Sequence, residues 1–433
     1  YSLQHGETGM LTDQVFGIAP DVRENSYVDR GNLDDVLSRA LDRPTHVAIR
    51  GPSKSGKSWL RQKVLKAPII VQCRLRKPFT EIYVDALSQL DIAIQVRESH
   101  QGVFKASLSA NGEGAAMLLA KVGISASVNR DTTTTDEHRV VGHDINDLRF
   151  VADIIKASER RLVVEDFHYM STEDRRGLAF DLKALWDYGV FVVIIGVWSE
   201  TNLLLHLNPD LTGRVIEIPI DWSPDDLTRI LTKGGDALRI SFAPKVQVKL
   251  VELSYSNAGL LQQLTLLTLD DAGIRERGLF TKQADNPDHV DNASMEYAEQ
   301  LNPLYQQFAK RVAAGMRTRK NATGIYAHAM AVIMDAPDYE LIKGLHARTI
   351  FERAVKRQSR IQYSNLKAIL EKLPELQVDE DGRGLILGYS PATEEITIVD
   401  RQLLLYRRFA TVKGPWEELI KEADASGGQI EVD

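Results

Sequence analysis

One octapeptide near the N-terminus restricts what this chain can fold into more than any other feature. It reads Gly51-Pro-Ser-Lys-Ser-Gly56-Lys57-Ser58, two glycines separated by four residues and followed by lysine and serine. A short apolar run precedes it and a helix-forming stretch follows it, so the glycine loop lies between a strand and a helix. Backbone N–H groups of such a loop converge on an anion, and the N-terminus of the following helix adds partial positive charge. The octapeptide is therefore predicted to be a phosphate-binding loop, the P-loop.

The P-loop predicts ATP and Mg²⁺ as cofactors. Lys57 is expected to reach the β- and γ-phosphates, and the Ser58 hydroxyl is expected to bind Mg²⁺. The other residues expected to line the phosphate site are Gly51, Ser53, Lys54, Ser55, Gly56 and Trp59.

Two further apolar runs end in polar residues. Residues 161–166 end in Glu165 and Asp166, and residues 190–198 are followed by Ser199. Parallel strands bring their C-terminal ends to one crevice, so these side chains are expected beside the P-loop. Glu165 is assigned to Mg²⁺ and Asp166 to activation of the attacking water, with the reverse assignment also open. Ser199 is a candidate γ-phosphate sensor or, alternatively, a helix cap.

The pattern of the first 220 residues predicts an α/β core. Continuous Val/Ile runs alternate with helical stretches, which is typical of a doubly wound parallel sheet covered on both faces. Within it, about residues 98–145 are rich in Gly, Ser, Thr and Asn and are predicted to be an inserted hairpin or loop of unknown role. His168 is expected to be a packing or capping residue rather than a functional one.

The rest of the chain is predicted to be mainly helical. Residues 221–272 form a lid, whose first helix is expected to end at Gly234–Gly235, and residues 273–338 form a linker followed by helices. Residues 339–433 contain two helices, a hairpin and a closing helix, an order that suggests a winged helix.

Charge and cysteine content restrict the partners. The net charge of -7 argues against a general attraction to nucleic acid, and a lone cysteine, Cys73, excludes an internal disulfide. No apolar run is long enough for a membrane span, so a cytoplasmic protein is expected. A local basic cluster in the winged helix could bind DNA phosphates or a protein partner, or be a solvated face balanced by acids; it consists of Arg353, Lys356, Arg357 and Arg360.

The order of these features resembles the AAA+/STAND group of P-loop ATPases. It includes the segment Ser26-Tyr-Val-Asp-Arg30 before the P-loop and Arg214 before a last short strand. With the winged helix, the chain is similar to origin-recognition-type initiators, transposon target-selection ATPases and bacterial STAND-like defence ATPases. The resemblance covers about residues 20–270 and, more weakly, 340–410.

The resemblance implies that Tyr27 and Val28 flank the adenine. It also implies that Arg214 is an arginine finger that reaches the γ-phosphate of a neighbouring subunit in a homo-oligomer, the alternative being a surface salt bridge. The lid segment 256–262 lacks the arginine common in AAA+ lids, which favours a switch over a motor.

The sequence is therefore compatible with three functions. The preferred one is a slowly hydrolysing ATPase switch that controls oligomerisation and recruits a protein effector, with bacterial antiviral defence as its setting. The alternatives are a DNA-binding AAA+ ATPase and a non-hydrolysing ATP-bound signalling scaffold.

Overall fold

The computed structural model describes residues 9–74, 77–98, 104–123, 127–128, 147–198, 200–314, 324–377, 385–391, 393–411 and 421. Strands and helices are numbered separately along the chain. The strands are β1 His46–Arg50, β2 Ile69–Gln72, β3 Ile92–Glu98, β4 Phe104–Ala110, β5 Ser127–Val128, β6 Leu162–Glu165, β7 Val192–Gly196, β8 Val215–Pro219, β9 Ile240–Phe242, β10 Lys282–Ala284, β11 Leu345–His346, β12 Leu387–Ser390 and β13 Glu395–Ile398.

The helices are α1 Leu33–Leu41, α2 Lys57–Val64, α3 Glu81–Ser88, α4 Glu113–Lys121, α5 Leu148–Ala157, α6 Thr172–Asp187, α7 Leu203–Leu207, α8 Pro224–Leu238, α9 Pro244–Leu253, α10 Ala258–Asp271, α11 Asp288–Ala314, α12 Ile325–Asp335, α13 Asp338–Lys343, α14 Ala347–Arg357, α15 Tyr363–Gln377 and α16 Gln402–Phe409. Among the described residues, no helix combines the length and apolar character that crossing a bilayer requires.

A five-stranded parallel sheet forms the core, in the order β2-β6-β7-β1-β8. Its central strands are buried on both faces, as their unbroken runs of valine and isoleucine predict. The predicted α/β fold with a parallel sheet is confirmed. Strand β1 lies between β7 and β8, so the loops that follow β1, β6 and β7 share one edge of the sheet.

The predicted insertion contains an antiparallel hairpin. Strands β3 and β4 pair from Ile92 opposite Ala110 to Glu98 opposite Phe104, and β5 pairs in parallel with β4. The hairpin begins at Ile92, earlier than the predicted boundary near residue 98. Much of the remaining insertion lies outside the described residues.

Helix α8 does not end at Gly234–Gly235, so that expectation is wrong. The helix continues to Leu238, where Arg239 in the left-handed region terminates it. A Cβ on Gly235 would lie 2.6 Å from the carbonyl oxygen of Ile240. The glycines therefore serve close packing rather than helix termination.

Two other segments also depart from their local sequence pattern. Asn32 is of a residue type common at helix N-caps, but it makes no side-chain cap on α1 because it adopts a left-handed conformation. The carboxylate of Asp29 accepts the Asp34 N–H instead, at 3.1 Å. The predicted linker contains strand β10, which pairs in parallel with β9.

The C-terminal unit has winged-helix topology. Helices α14 and α15 are followed by the hairpin β12–β13, and the short β11 completes a sheet of order β11-β13-β12. The predicted winged helix is therefore confirmed. The Gln377 side chain joins α15 to this sheet by accepting the Leu387 N–H at 2.7 Å and donating to the Leu387 carbonyl at 2.8 Å.

Candidate nucleotide-binding site

The P-loop begins where β1 ends and closes on the first turn of α2. Gly51 is buried, and a Cβ there would lie 2.9 Å from the Cβ of Ile220, so close packing requires glycine. Gly56 precedes α2 with φ +85°, a left-handed conformation that glycine adopts without strain. Lys57 and Ser58 therefore occupy the first turn of the helix.

The Lys57 side chain folds back over the loop. Its Nζ donates to the carbonyl oxygens of Gly51 at 3.0 Å and Pro52 at 2.5 Å. Burial lowers the pKa of Lys57 to about 7, and the negative charges of Asp166 and Glu165 oppose this shift. Phosphate oxygens would offer this ammonium charge-assisted hydrogen bonds in place of neutral carbonyls.

Other P-loop side chains and carbonyls contact neighbouring segments. Ser55 is buried, and its carbonyl accepts the Trp222 indole N–H at 2.9 Å. The Trp59 indole donates to the Ala19 carbonyl at 3.0 Å, whereas Ser58 and Lys54 are exposed.

The two acids at the end of β6 have different environments. The Glu165 carboxylate accepts a hydrogen bond from Arg61 Nε at 2.7 Å, and both side chains are about nine-tenths buried. Asp166 has φ +58°, and burial and then the charge of Glu165 raise its pKa, while Lys57 lowers it. Both acids act electrostatically on Lys57, so the two carboxylates and the lysine share one crevice.

His168 connects the ends of β6 and β7. Its Nδ1 accepts the backbone N–H of Val197 at 3.3 Å, which leaves the ring proton on Nε2. Burial, with contributions from Lys57 and Arg175, lowers the pKa of His168 to about 3, so the ring is neutral near pH 7. The adjacent Ser199, the predicted sensor, lies outside the described residues.

Tyr27 and Val28 are both buried. The Tyr27 hydroxyl donates to the Asp34 carboxylate at 2.5 Å, and Lys63 lies 5.4 Å from the centre of its ring. The Tyr27 carbonyl accepts from Lys233 at 2.7 Å, which joins this segment to the lid.

Arg30 is a charged group beside the P-loop, and no sequence pattern predicts a role for it. It is 5% exposed, and its guanidinium stacks 4.2 Å above the ring of Trp222, close to Gly56. Burial lowers its pKa to about 10. Among the described residues nothing accepts a hydrogen bond from its Nε or Nη2. A buried guanidinium with two nitrogens that lack acceptors within the described part of the chain is suited to an anionic ligand.

Arg214 lies far from its own P-loop. It immediately precedes β8, whose first residues pair with the first residues of β1, at the sheet edge opposite the P-loop. A five-residue strand separates the two edges by about 16 Å. The guanidinium stacks 4.7 Å above Trp186 and donates to the Asp210 carbonyl. No carboxylate within the described ranges pairs with it as a salt bridge.

Two of the four residues of the predicted basic cluster are paired with acids. Arg353 makes two hydrogen bonds to Glu340, at 2.8 and 3.0 Å, and Arg357 pairs with Asp335 at 3.0 Å. Arg360 contacts Gln358, and Lys356 is exposed.

The tip of the P-loop contacts both the lid and the C-terminal unit. The Ser53 N–H donates to the Val399 carbonyl at 3.1 Å, while the Ser53 carbonyl accepts from Asn257 Nδ2 at 2.7 Å. The Lys54 carbonyl accepts the Gly259 N–H at 2.9 Å. No local sequence pattern predicts these contacts.

The strand order, the P-loop and the two adjacent acids together define the class: a P-loop NTPase fold with a helical lid and a C-terminal winged helix. No protein-family model matches the sequence, and neither does any curated protein.

Among solved structures, the chain is similar to the Aeropyrum pernix ORC1 protein in complex with DNA, at 14% identity over 90% of this chain and 92% of that one, with a TM-score of 0.37. It is also similar to the Thermotoga maritima RuvB Holliday junction branch migration motor, at 11% identity over 85% and 91%, with a TM-score of 0.35. A STAND protein with a tetratricopeptide repeat sensor from Pyrococcus horikoshii is 12% identical over 92% of this chain and 44% of that chain, with a TM-score of 0.37.

Proposed function

We propose that this protein binds MgATP on its P-loop, hydrolyses it slowly, and uses the nucleotide state to control the position of its C-terminal unit. Through that unit it would control self-assembly and recruitment of a protein effector. One observation carries the proposal: the Ser53 N–H of the P-loop is hydrogen-bonded to Val399 of the C-terminal unit. A change in the P-loop on nucleotide binding therefore acts directly on that unit.

The residues present fit a nucleotide phosphate. The buried Nε and Nη2 of Arg30 have no acceptor among the residues that the structure describes, and Lys57 donates mainly to carbonyls of its own loop. In the described part of the chain no group of three or more acidic, His or Cys side chains converges. Mg²⁺ would therefore be held jointly with the phosphates, as P-loops hold it through one hydroxyl and one carboxylate.

Each residue of the site then has a proposed role. Lys57 and Arg30 bind phosphate oxygens, and Ser58 and Glu165 hold Mg²⁺, which neutralises the charge that develops during transfer. Asp166 accepts the proton of the attacking water, because burial and the charge of Glu165 raise its pKa and make it a stronger base than an exposed aspartate. The pairing of Glu165 with Arg61 must loosen when Mg²⁺ binds, which is consistent with slow turnover.

Calorimetry and cross-linking test the binding and the switch separately. Wild-type protein is expected to bind ATP, and Lys57→Ala is expected to abolish binding. For the switch, a variant with Ser53→Cys and Val399→Cys is made in a Cys73→Ser background. The rate at which its two cysteines form a disulfide measures how closely the P-loop stays in contact with the C-terminal unit. ATP and ADP are expected to change that rate to different extents. Equal rates with ATP, with ADP and without nucleotide would reject the switch.

DNA binding is the second candidate, and the winged-helix topology favours it. The ion pairs of Arg353 and Arg357 weigh against it, because a cation already paired gains less from phosphate. Duplex binding across a salt series distinguishes the two: a steep salt dependence that is lost in an Arg353/Arg357/Arg360 charge-removal variant would support it.

A non-hydrolysing scaffold is the third candidate, distinguished by ATP that stays intact on the protein during long incubation. Bacterial antiviral defence is proposed as the setting on the sequence resemblance alone.

A further inference from the structure

The turn between α9 and α10 has an unusual backbone. Tyr255 and Ser256 both have positive φ, 49° and 56°, and neither is glycine. The left-handed region is unfavourable for L-residues with a Cβ, and two such residues in succession require support from the surroundings.

Arg401 of the C-terminal unit provides that support. Its Nη1 donates to the carbonyl oxygens of Tyr255 at 2.6 Å and Ser256 at 3.0 Å. Arg401 lies between β13 and α16, so the winged helix determines its position. Burial lowers the pKa of its guanidinium, and Asp221 opposes this shift.

The supported turn leads directly to the P-loop. Asn257 caps α10 by accepting the Leu260 N–H at 3.0 Å, and its Nδ2 donates to the Ser53 carbonyl. Two residues later, the Gly259 N–H donates to the Lys54 carbonyl. A Cβ on Gly259 would lie 2.6 Å from that oxygen, so only glycine allows the lid helix to approach this closely.

We propose that Arg401 is a positioning residue for nucleotide binding: it holds the turn at Tyr255–Ser256, and through that turn it places Asn257 and Gly259 against the tip of the P-loop. The proposal rests on the proposed nucleotide site, but it assigns Arg401 no contact with the nucleotide. Without Arg401 the turn relaxes, and the hydrogen bonds from Asn257 and Gly259 to the P-loop weaken. ATP binding then has to order the P-loop, which lowers the affinity.

The first experiment needs no nucleotide. Hydrogen exchange of the Gly259 amide is expected to accelerate about tenfold in Arg401→Ala, because losing one or two hydrogen bonds changes a local equilibrium by about that factor. Arg401→Lys should restore part of the protection. Arg160→Ala is the control, because Arg160 also donates to backbone carbonyls, those of Ala67, Pro68 and Gln89, at the edge of the sheet opposite the P-loop.

The second experiment measures ATP affinity by calorimetry. Arg401→Ala is expected to raise the Kd about tenfold, Arg401→Lys less, and Arg160→Ala not at all. Gly259→Ala should weaken binding by the same route, so the effects of R401A and G259A should combine less than additively. A residue that supports only overall stability would instead give additive effects.

The outcomes separate this inference from the proposed function. If wild type binds ATP and Lys57→Ala does not, unchanged exchange and unchanged Kd in Arg401→Ala would overturn the role of Arg401. If wild type binds no ATP, the proposed function fails, and the exchange rate of the Gly259 amide alone decides whether Arg401 positions the loop.

Discussion

Lys57 shows how burial sets the chemistry of one side chain in this site. Its pKa of about 7 in the nucleotide-free protein lies below the ordinary value because burial disfavours the charge. Phosphates would favour the charged form and raise this pKa, so ATP binding above pH 7 is coupled to proton uptake.

The expected result is an ATP affinity that falls between pH 7 and 9, by up to about tenfold per pH unit. Calorimetry at pH 8 in buffers of different ionisation enthalpy should show uptake of close to one proton per ATP. Lys57→Met is the control, with weak binding and no uptake. An affinity independent of pH in wild type would contradict the assignment.

Glu165 and Asp166 are adjacent but should respond differently to substitution. Asp166→Asn removes the proposed base and is expected to lower the hydrolysis rate by about 10²–10⁴, with ATP affinity nearly unchanged. Glu165→Gln should instead raise the Mg²⁺ concentration needed for half-maximal rate. Steady-state rates over a Mg²⁺ titration measure both. A wild-type rate in Asp166→Asn would reverse the two roles.

The P-loop could be predicted from sequence because its chemistry is contained in eight consecutive residues. Arg30 and Arg61 could not be assigned in this way, because their partners are distant in sequence: Arg30 stacks on Trp222, and Arg61 pairs with Glu165. Nothing in the local pattern distinguishes a buried arginine beside the P-loop from one exposed to solvent.

At the scale of elements, some helix ends follow from the local sequence and others depend on distant residues. Ser171 and Ser223 are of a residue type common at helix N-caps, and they cap α6 and α8 because each accepts an N–H three residues ahead. The end of α8 was predicted wrongly, because Gly234–Gly235 is also a local stop signal. The actual role of these two glycines depends on β9, which packs against the helix and is not evident from the sequence.

Gly235→Ala tests that role. The added methyl would meet the Ile240 carbonyl oxygen at 2.6 Å, so overpacking is expected to destabilise the protein by about 1–3 kcal/mol. Gly114→Ala in α4 is the matched control, because its Cβ would meet nothing within 4 Å. There the higher helix propensity of alanine predicts no loss of stability. Urea unfolding measures both variants, and equal stabilities would contradict the packing explanation.

At the scale of the whole molecule, the sequence predicted the units better than their contacts. The α/β core and the winged helix follow from periodicity and element order, whereas the boundaries at residues 220, 272 and 338 stay predictions. The convergence of the lid and the C-terminal unit on Ser53 and Lys54 arises from backbone carbonyls and N–H groups, which every residue carries. Such contacts leave no pattern in side-chain identity.

Arg214 lies too far from its own P-loop to act in its own site. A role in the site of a neighbouring subunit is testable. Arg214 lies at the sheet edge opposite the P-loop, about 16 Å away along β1. If it completes a neighbour's site, hydrolysis per subunit should rise with protein concentration. Arg214→Ala should then lower the rate by about 10³ or more, without loss of ATP binding.

Mixing two inactive variants gives the sharpest test of this role. Arg214→Ala subunits retain an intact P-loop, and Lys57→Ala subunits retain Arg214, so a mixture should recover part of the wild-type rate. Arg39→Ala, which removes only an exposed pair with Asp35, is the control and should leave the rate unchanged. A rate per subunit that is flat with concentration and insensitive to Arg214→Ala would exclude the arginine finger. In that case Arg30, the buried arginine beside the P-loop, would be left as the candidate for stabilising charge on the phosphates.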